Sequence, residues 1–184
     1  PRRTELAGFA DIHLQIRPGQ DPVLLAGMIR IVLEEGLQDH EFCERWMSQM
    51  AELAAAVEPF TLEVVAQRCQ LDADDVLVAA RLFAAGPRGT AGTGTGPNMA
   101  AHSSLTEHLV MVLNTILGRV NRQGDLLENG LLLYPEVPHR AQAVAPRPPA
   151  EGPRARIRNL RGYRGEMPAA TLCEEILTPG DGRI

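Results

Sequence analysis

Lysine is missing altogether: the 18 basic residues of this 184-residue chain are all arginine. That excludes a lysine Schiff base and the lysine of a Walker-type phosphate loop. We read the bias itself as coding preference. Aromatic residues make up only 4 % of the chain, so its 45 % apolar content is carried mostly by Ala, Leu and Val, a mixture that favours helices. Cysteines number three, Cys43, Cys69 and Cys173, and none forms a C-x-x-C pair. Such a sparse, odd set suits reduced thiols buried in helices rather than a metal site. It also suits a cytoplasmic setting, with a periplasmic one left open. No apolar run approaches the roughly 18 residues that signal a membrane span, and no secretory signal opens the chain. The net charge of −5 lacks the basic excess that a nucleic acid or an anionic membrane would select. The first residue is Pro1 rather than Met, which reads as a processed chain or as a piece of a longer one.

Residues 10–17, ADIHLQIR, alternate Ile12, Leu14 and Ile16 with His13, Gln15 and Arg17, a pattern that predicts a strand with His13 facing outward. Pro18-Gly19 ends it. Asp21-Pro22 reads as an N-cap followed by a first-turn proline, so a helix is expected over 22–35 with Gly36 beyond its end. Asp39 caps a second helix over 40–57, with Phe42, Trp46, Met50 and Leu53 at helical spacing on a core-facing side. Further helices are expected over 62–69, 73–85 (Asp72, Asp74 and Asp75 favouring its start), 104–118 and 168–178. Residues 119–166 carry many prolines and arginines with little periodicity and read as a long loop.

Two junctions could carry chemistry. The first, Pro18-Gly19-Gln20-Asp21, lies where a strand hands over to a helix, the place where ligands bind in open α/β sheets. Asp21 can accept from two parallel N–H donors such as those on the Watson–Crick edge of guanine, for about 1.5–3 kcal/mol. It can equally be a plain helix cap. The second junction is the glycine segment 89–104, GTAGTGTGPNMAAHSS, which precedes the 104–118 helix. A strand at 89–94 would have little side chain to pack, and glycine there is justified if a bulky ligand lies against the backbone. Gly94 and Gly96 offer N–H groups, and Asn98 and His102 offer polar tips. The stepping is neither G-x-G-x-x-G nor a P-loop, and a flexible linker is the competing reading.

In this order and about 75 residues apart, the two junctions resemble those of the molybdopterin-guanine-dinucleotide oxidoreductases of the dimethyl sulfoxide reductase superfamily, formate dehydrogenases and nitrate reductases among them. The family pattern D-P-R-x-T, A-D, strand, P-G-T-D is matched by Pro1-Arg2-Arg3-Thr4, Ala10-Asp11 and Pro18-Gly19-Gln20-Asp21. It continues through Asp39 to Cys43, Phe60 to Ala66, Ala80 to Ala84, Gly94-Thr95-Gly96-Pro97-Asn98-Met99, and Leu113 to Gly118-Arg119, Arg122 and Gly124. The similarity covers about residues 1–125. Two departures stand out: Gln20 takes the place of the usual threonine, and Pro97-Asn98-Met99 that of an N-Q-H type.

The resemblance implies an α/β fold: a helix-rich fragment of a Rossmann-like molybdopterin-dinucleotide domain, with about six helices and two or three short strands. Its parts would be a partial dinucleotide-binding domain at 1–130, a Pro/Arg-rich loop at 131–166 and a C-terminal helix of the same domain at 167–184. It implies that Pro18, Gly19, Gln20 and Asp21 meet the guanine end of the cofactor, and that Gly94, Gly96, Asn98, Met99 and His102 line it towards the pterin. Molybdopterin guanine dinucleotide would belong to the intact enzyme. Its molybdenum ligand and iron–sulfur segment would lie outside this chain, so no catalytic residue and no metal ligand is assigned, and the piece alone is expected to bind no cofactor. The expected partners are the remainder of a parent polypeptide and a second copy docking on exposed surfaces, with no nucleic acid. The alternative is a self-sufficient helical interaction module whose Arg/Pro-rich tail docks a partner.

Overall fold

Residues 24–33, LLAGMIRIVL, are apolar almost all the way round a helix, which predicts a helix buried on more than one side. The computed structural model, which describes residues 2–87, 89–127, 139–143, 153–162 and 166–182, places this helix, α1 (Asp21–Glu34), at the centre of the first of two compact units, Pro1–Asn121 and Arg122–Ile184.

Around α1 stand α2 (His40–Trp46), α3 (Met50–Val57), α4 (Leu62–Cys69), α5 (Ala73–Ala85), the single turn α6 (Thr95–Asn98) and α7 (Ser103–Ile116). One side of α1 (Ala26, Ile29, Val32) packs with Cys43, Val57, Leu109, Leu113 and Ile116. Another (Val23, Ile31) packs with Val65, Cys69, Val76 and Ala80. Gly27 is the point of closest approach to α4, where an added Cβ would lie 2.4 Å from Cγ2 of Val65.

Helices α1 and α7 run side by side in the same direction. At their C-terminal ends the Asp39 N–H donates to the Ile116 carbonyl at 2.9 Å. At their N-terminal ends Pro22 and Val23 share a cleft with His102 and Leu105. Side-chain caps fix the helix starts as the sequence suggested at Asp39 (to Phe42 N–H, 2.9 Å), Thr61 (to Val64 N–H, 3.3 Å) and Asp72 (to Asp74 N–H, 2.8 Å). The end of α5 is closed by Arg119. Its guanidinium donates to the carbonyls of Phe83, Ala84 and Gly86 and lies over the Phe83 ring, 4.3 Å from the centroid. It therefore satisfies the orphan carbonyls of a helix C-terminus.

Several expectations need correction. Residues 10–17 form no strand among the described residues: the Ile16 N–H turns back to the Leu14 carbonyl at 3.0 Å, and the Arg17 N–H bonds the Cys69 carbonyl at 2.9 Å. Alternation sets which side chains turn inward, but a ladder needs a neighbouring strand, and none is described beside it. His13 is half-buried rather than outward. The 40–57 helix is two helices, broken at residues 47–49 where Gln49 takes a left-handed conformation (φ 61°). With that break Trp46 leaves the core: it is 65 % exposed, with Arg45 stacked 5.0 Å from its ring. Cys173 is exposed, not buried.

The second unit holds the two-residue strands β1 (Leu126–Leu127) and β2 (His139–Arg140), paired antiparallel, and helix α8 (Leu172–Leu177). Arginine from the Pro/Arg-rich stretch holds α8. The Arg156 guanidinium donates to the carbonyls of Glu175 (3.2 Å), Thr178 (2.8 Å) and Pro179 (3.4 Å) and meets the buried Glu175 carboxylate at 3.3 Å. Glu175 also accepts the Ile157 N–H at 2.9 Å. Much of the expected 131–166 loop lies outside the described residues.

Candidate cofactor-binding site

The turn at residues 17–20 is docked on the end of α4. The Arg17 N–H bonds the Cys69 carbonyl, and the Cys69 thiol points at the Gln20 carbonyl, 3.7 Å away. Gly19 turns the chain with φ +80°, a conformation glycine adopts without strain. The cap of α1 is Gln20, not Asp21, and no side chain bonds the first N–H groups of the helix. Asp21 therefore sits inside the first turn, half-exposed, with no hydrogen bond or ion pair among the described residues. The plain capping role is excluded, and its carboxylate is left as an open double acceptor. Beside it, Gln20 Oε1 is buried and has no hydrogen-bond partner among the described residues.

Cys69 next to this turn is fully buried, and burial pushes its thiol up to about 11 from an ordinary 9.0; Arg68 pulls the other way and Asp21 adds to the rise. The folded chain keeps this proton between pH 9 and 11 while the unfolded chain loses it. Stability from the buried thiol is thus complete below pH 9 and falls as pH rises through that window, by about 1.4 kcal/mol per pH unit. We expect urea unfolding of the wild-type chain to show this alkaline decline, and the difference between wild type and Cys69→Ala to change over the same window. Parallel pH curves would remove Cys69 as its cause.

The glycine segment is neither loose nor conventional. Asn114, buried on α7, pairs with both backbone groups of Ala91: its Oδ1 accepts the Ala91 N–H at 2.8 Å and its Nδ2 donates to the Ala91 carbonyl at 2.9 Å. The Thr93 hydroxyl donates to the Glu107 carboxylate, about two turns nearer the start of α7. From there the chain passes through α6, which packs on α7, into His102. Yet Gly92, Gly94 and Gly96 have no positive φ, and a Cβ added at any of them would meet nothing within 4 Å. Neither backbone conformation nor packing among the described residues of this unit asks for glycine at these three positions.

No family model matches the chain. Acetylene hydratase of Syntrophotalea acetylenica is 32 % identical over 127 residues, 69 % of this chain and 17 % of that protein. The thiosulfate reductase molybdopterin-containing subunit of Salmonella typhimurium is 30 % identical over 129 residues, 70 % of this chain and 17 % of its own. The solved structure of acetylene hydratase from Pelobacter acetylenicus matches with a TM-score of 0.63 at 30 % identity, over 68 % of this chain and 18 % of that one. The chain belongs to the molybdopterin oxidoreductases. It spans 17 % of the length of these two curated relatives.

Within this molybdopterin oxidoreductase chain both junctions feed the same end of the parallel pair α1 and α7, since Pro22 and Val23 follow the first and His102 closes the second. A cleft of about 470 Å³ between those ends is lined by Pro22, Val23, Ala26, Leu53, Ala56, Val57, Phe60, Arg68, His102, Leu105, His108 and Leu109. Of the nine residues singled out from the sequence, only His102 lines it. Gln20 and Asp21 lie at the α1 start, just beyond it, and Pro18 and Gly19 precede them. Gly94, Gly96, Asn98 and Met99 lie in and around α6, where Met99 is 82 % exposed. His102 is exposed in a left-handed conformation (φ 62°), its carbonyl accepting from the Thr106 N–H at 3.0 Å. Asn114 and Arg119 were not anticipated in their roles. A lone asparagine within the apolar LVMVLNTIL run was the available signal for the first.

Proposed function

We propose that this chain contributes cofactor contacts to a bis-pterin molybdenum or tungsten oxidoreductase, holding molybdopterin guanine dinucleotide across the shared end of α1 and α7. Asp21 takes the guanine, with Pro18, Gly19 and Gln20 shaping the turn beneath it. Gly94, Gly96, Asn98, Met99 and His102 lie along the cofactor towards its pterin. The observation that carries this reading is the pair of features left unexplained within the chain: glycines at 92, 94 and 96 with open space above them, and an unengaged Asp21 carboxylate. A large flat ligand seated on that backbone accounts for both. The residues present fit the group: beside the two Asp21 acceptors, Gln20 carries a side-chain amide whose N–H groups make no hydrogen bond among the described residues.

The cofactor, when bound, supplies the two-electron chemistry; the chain binds and orients it. No residue here is assigned to catalysis or to a metal. The parallel pair α1 and α7, each entered from one of the two junctions, supports a Rossmann-like layout of this region. Exposed Leu6, Phe9 and Met99, 79 %, 88 % and 82 % accessible, are where the rest of a larger polypeptide or a second copy would dock. No helix among the described residues is long and apolar enough to cross a membrane.

Titration of the chain with GMP tests the reading. Saturable binding is expected, and Asp21→Ala should weaken it roughly 10- to 150-fold, the equivalent of about 1.5–3 kcal/mol for a charged hydrogen-bonded pair. GMP binding indifferent to Asp21→Ala would overturn it.

A further inference from the structure

The guanine edge is not complementary to a carboxylate alone. It presents two donors, the 2-amino group and N1–H, and then one acceptor, O6. Asp21 is an acceptor only and can take the two donors. The third position needs a donor, and leaving O6 desolvated without one weakens and blurs recognition.

Gln20 immediately precedes Asp21 and caps α1. The residue is half-buried, its Oε1 is sealed from solvent, and neither Oε1 nor Nε2 makes a hydrogen bond among the described residues. The amide is planar and carries its donor limb on the same carbon as the sealed oxygen. With the acceptor turned inward, the NH2 group is the limb free to serve a ligand at the neighbouring carboxylate. Where the family pattern has a threonine, this chain has a longer side chain carrying two N–H donors.

We propose that Gln20 is a specificity-determining residue: its carboxamide N–H donates to O6 of the guanine whose N1–H and 2-amino group bond the Asp21 carboxylate. The inference rests on the guanine reading of Asp21 and deepens it. It makes the adjacent pair, amide then carboxylate, a donor–acceptor–acceptor strip that matches guanine. Adenine, with a donor at position 6 and a bare acceptor at N1, meets that strip with the opposite polarity.

The test uses the full chain and two mononucleotides, GMP and AMP, with Gln20→Met (similar length, no donor), Gln20→Glu (similar shape, acceptor only) and Asp21→Asn. Wild type should prefer GMP. Gln20→Met should weaken GMP about five- to tenfold while leaving AMP unchanged. Gln20→Glu should weaken GMP more, because a carboxylate then faces O6. Independently of affinity, the Gln20 side-chain NH2 signal in a 15N-edited NMR spectrum should shift with GMP and stay still with AMP. If Asp21→Asn abolishes GMP binding while both Gln20 variants bind like wild type, the O6 donor lies elsewhere, and this inference fails while the reading of Asp21 stands. GMP binding insensitive to all three variants, or no saturable binding at up to about 10 mM nucleotide, overturns both.

Discussion

Gly27→Val is expected to cost about 3 kcal/mol or more of stability in the first unit, with a fall in melting temperature of roughly 10 °C or more. The first Cβ atom alone would stand 2.4 Å from Cγ2 of Val65. Val65 cannot step aside. It is fully buried, and a β-branched side chain within a helix has one strongly preferred rotamer. The backbones of α1 and α4 must then separate, and α1 packs against α3, α5 and α7 as well, so the shift is resisted on every side. Gly27→Ala meets the same clash with one methyl, partly offset by alanine's better helix propensity of about 1 kcal/mol; its net effect should be milder. The decisive arm is the double variant Gly27→Ala/Val65→Ala, which removes the offending methyls. It should recover much of the loss that adding the two single effects predicts, by about 1 kcal/mol or more of coupling. Simple additivity in urea or thermal melts would show that the two helices do not meet at this point.

How much of this was legible beforehand depends on which physical signal each residue carries. Helices with a capping side chain and a sustained apolar face were readable to within a residue or so: α4 and α5 match their expected spans, and Thr61 and Asp72 do the capping. The 40–57 helix was not, because its apolar spacing runs unbroken through Met47, Ser48 and Gln49 while the backbone turns left-handed at Gln49. Periodicity reports which side chains can share a face; it is blind to a break that keeps the phase. Residues 10–17 failed differently. Their alternation is real, but hydrogen-bonded pairing depends on a neighbour, which is information held elsewhere than in the segment itself.

At the candidate site the split runs along the same line. The turn-forming Gly19, the open glycines and an acid at the helix start are local features, visible as residue types at a spacing. What Asp21 bonds is not local. In sequence, cap and first-turn positions differ by a single residue, and only the backbone at Gln20 settles which one Asp21 occupies. Arg119 shows the converse: it matches a position of the family pattern, and its contacts are with the last carbonyls of α5, a structural closure.

Asn114→Leu should release the glycine segment. Leucine is close to asparagine in size and apolar, so the α7 core position stays filled. What disappears is the amide that pairs with both the N–H and the C=O of Ala91. Ala91 is half-buried, so water replaces those bonds only in part, and a loss of roughly 1–3 kcal/mol is expected. The more telling readout is local. Hydrogen exchange at Ala91 should accelerate by about one to two powers of ten, the rate equivalent of that energy, while amides in the middle of α1 follow only the change in global stability. Asn114→Asp separates the two bonds. It keeps an acceptor for the Ala91 N–H but sets a carboxylate against the Ala91 carbonyl in a buried position, so it should destabilise at least as much as leucine at neutral pH and less in acid, where the carboxyl can donate. Nucleotide binding adds a third measure: if Gly94 and Gly96 seat a ligand only because Asn114 fixes the segment before them, Asn114→Leu weakens GMP without touching any residue in its contact. Ala91 exchange unchanged in Asn114→Leu would mean that the segment is held by Thr93 and Glu107 alone.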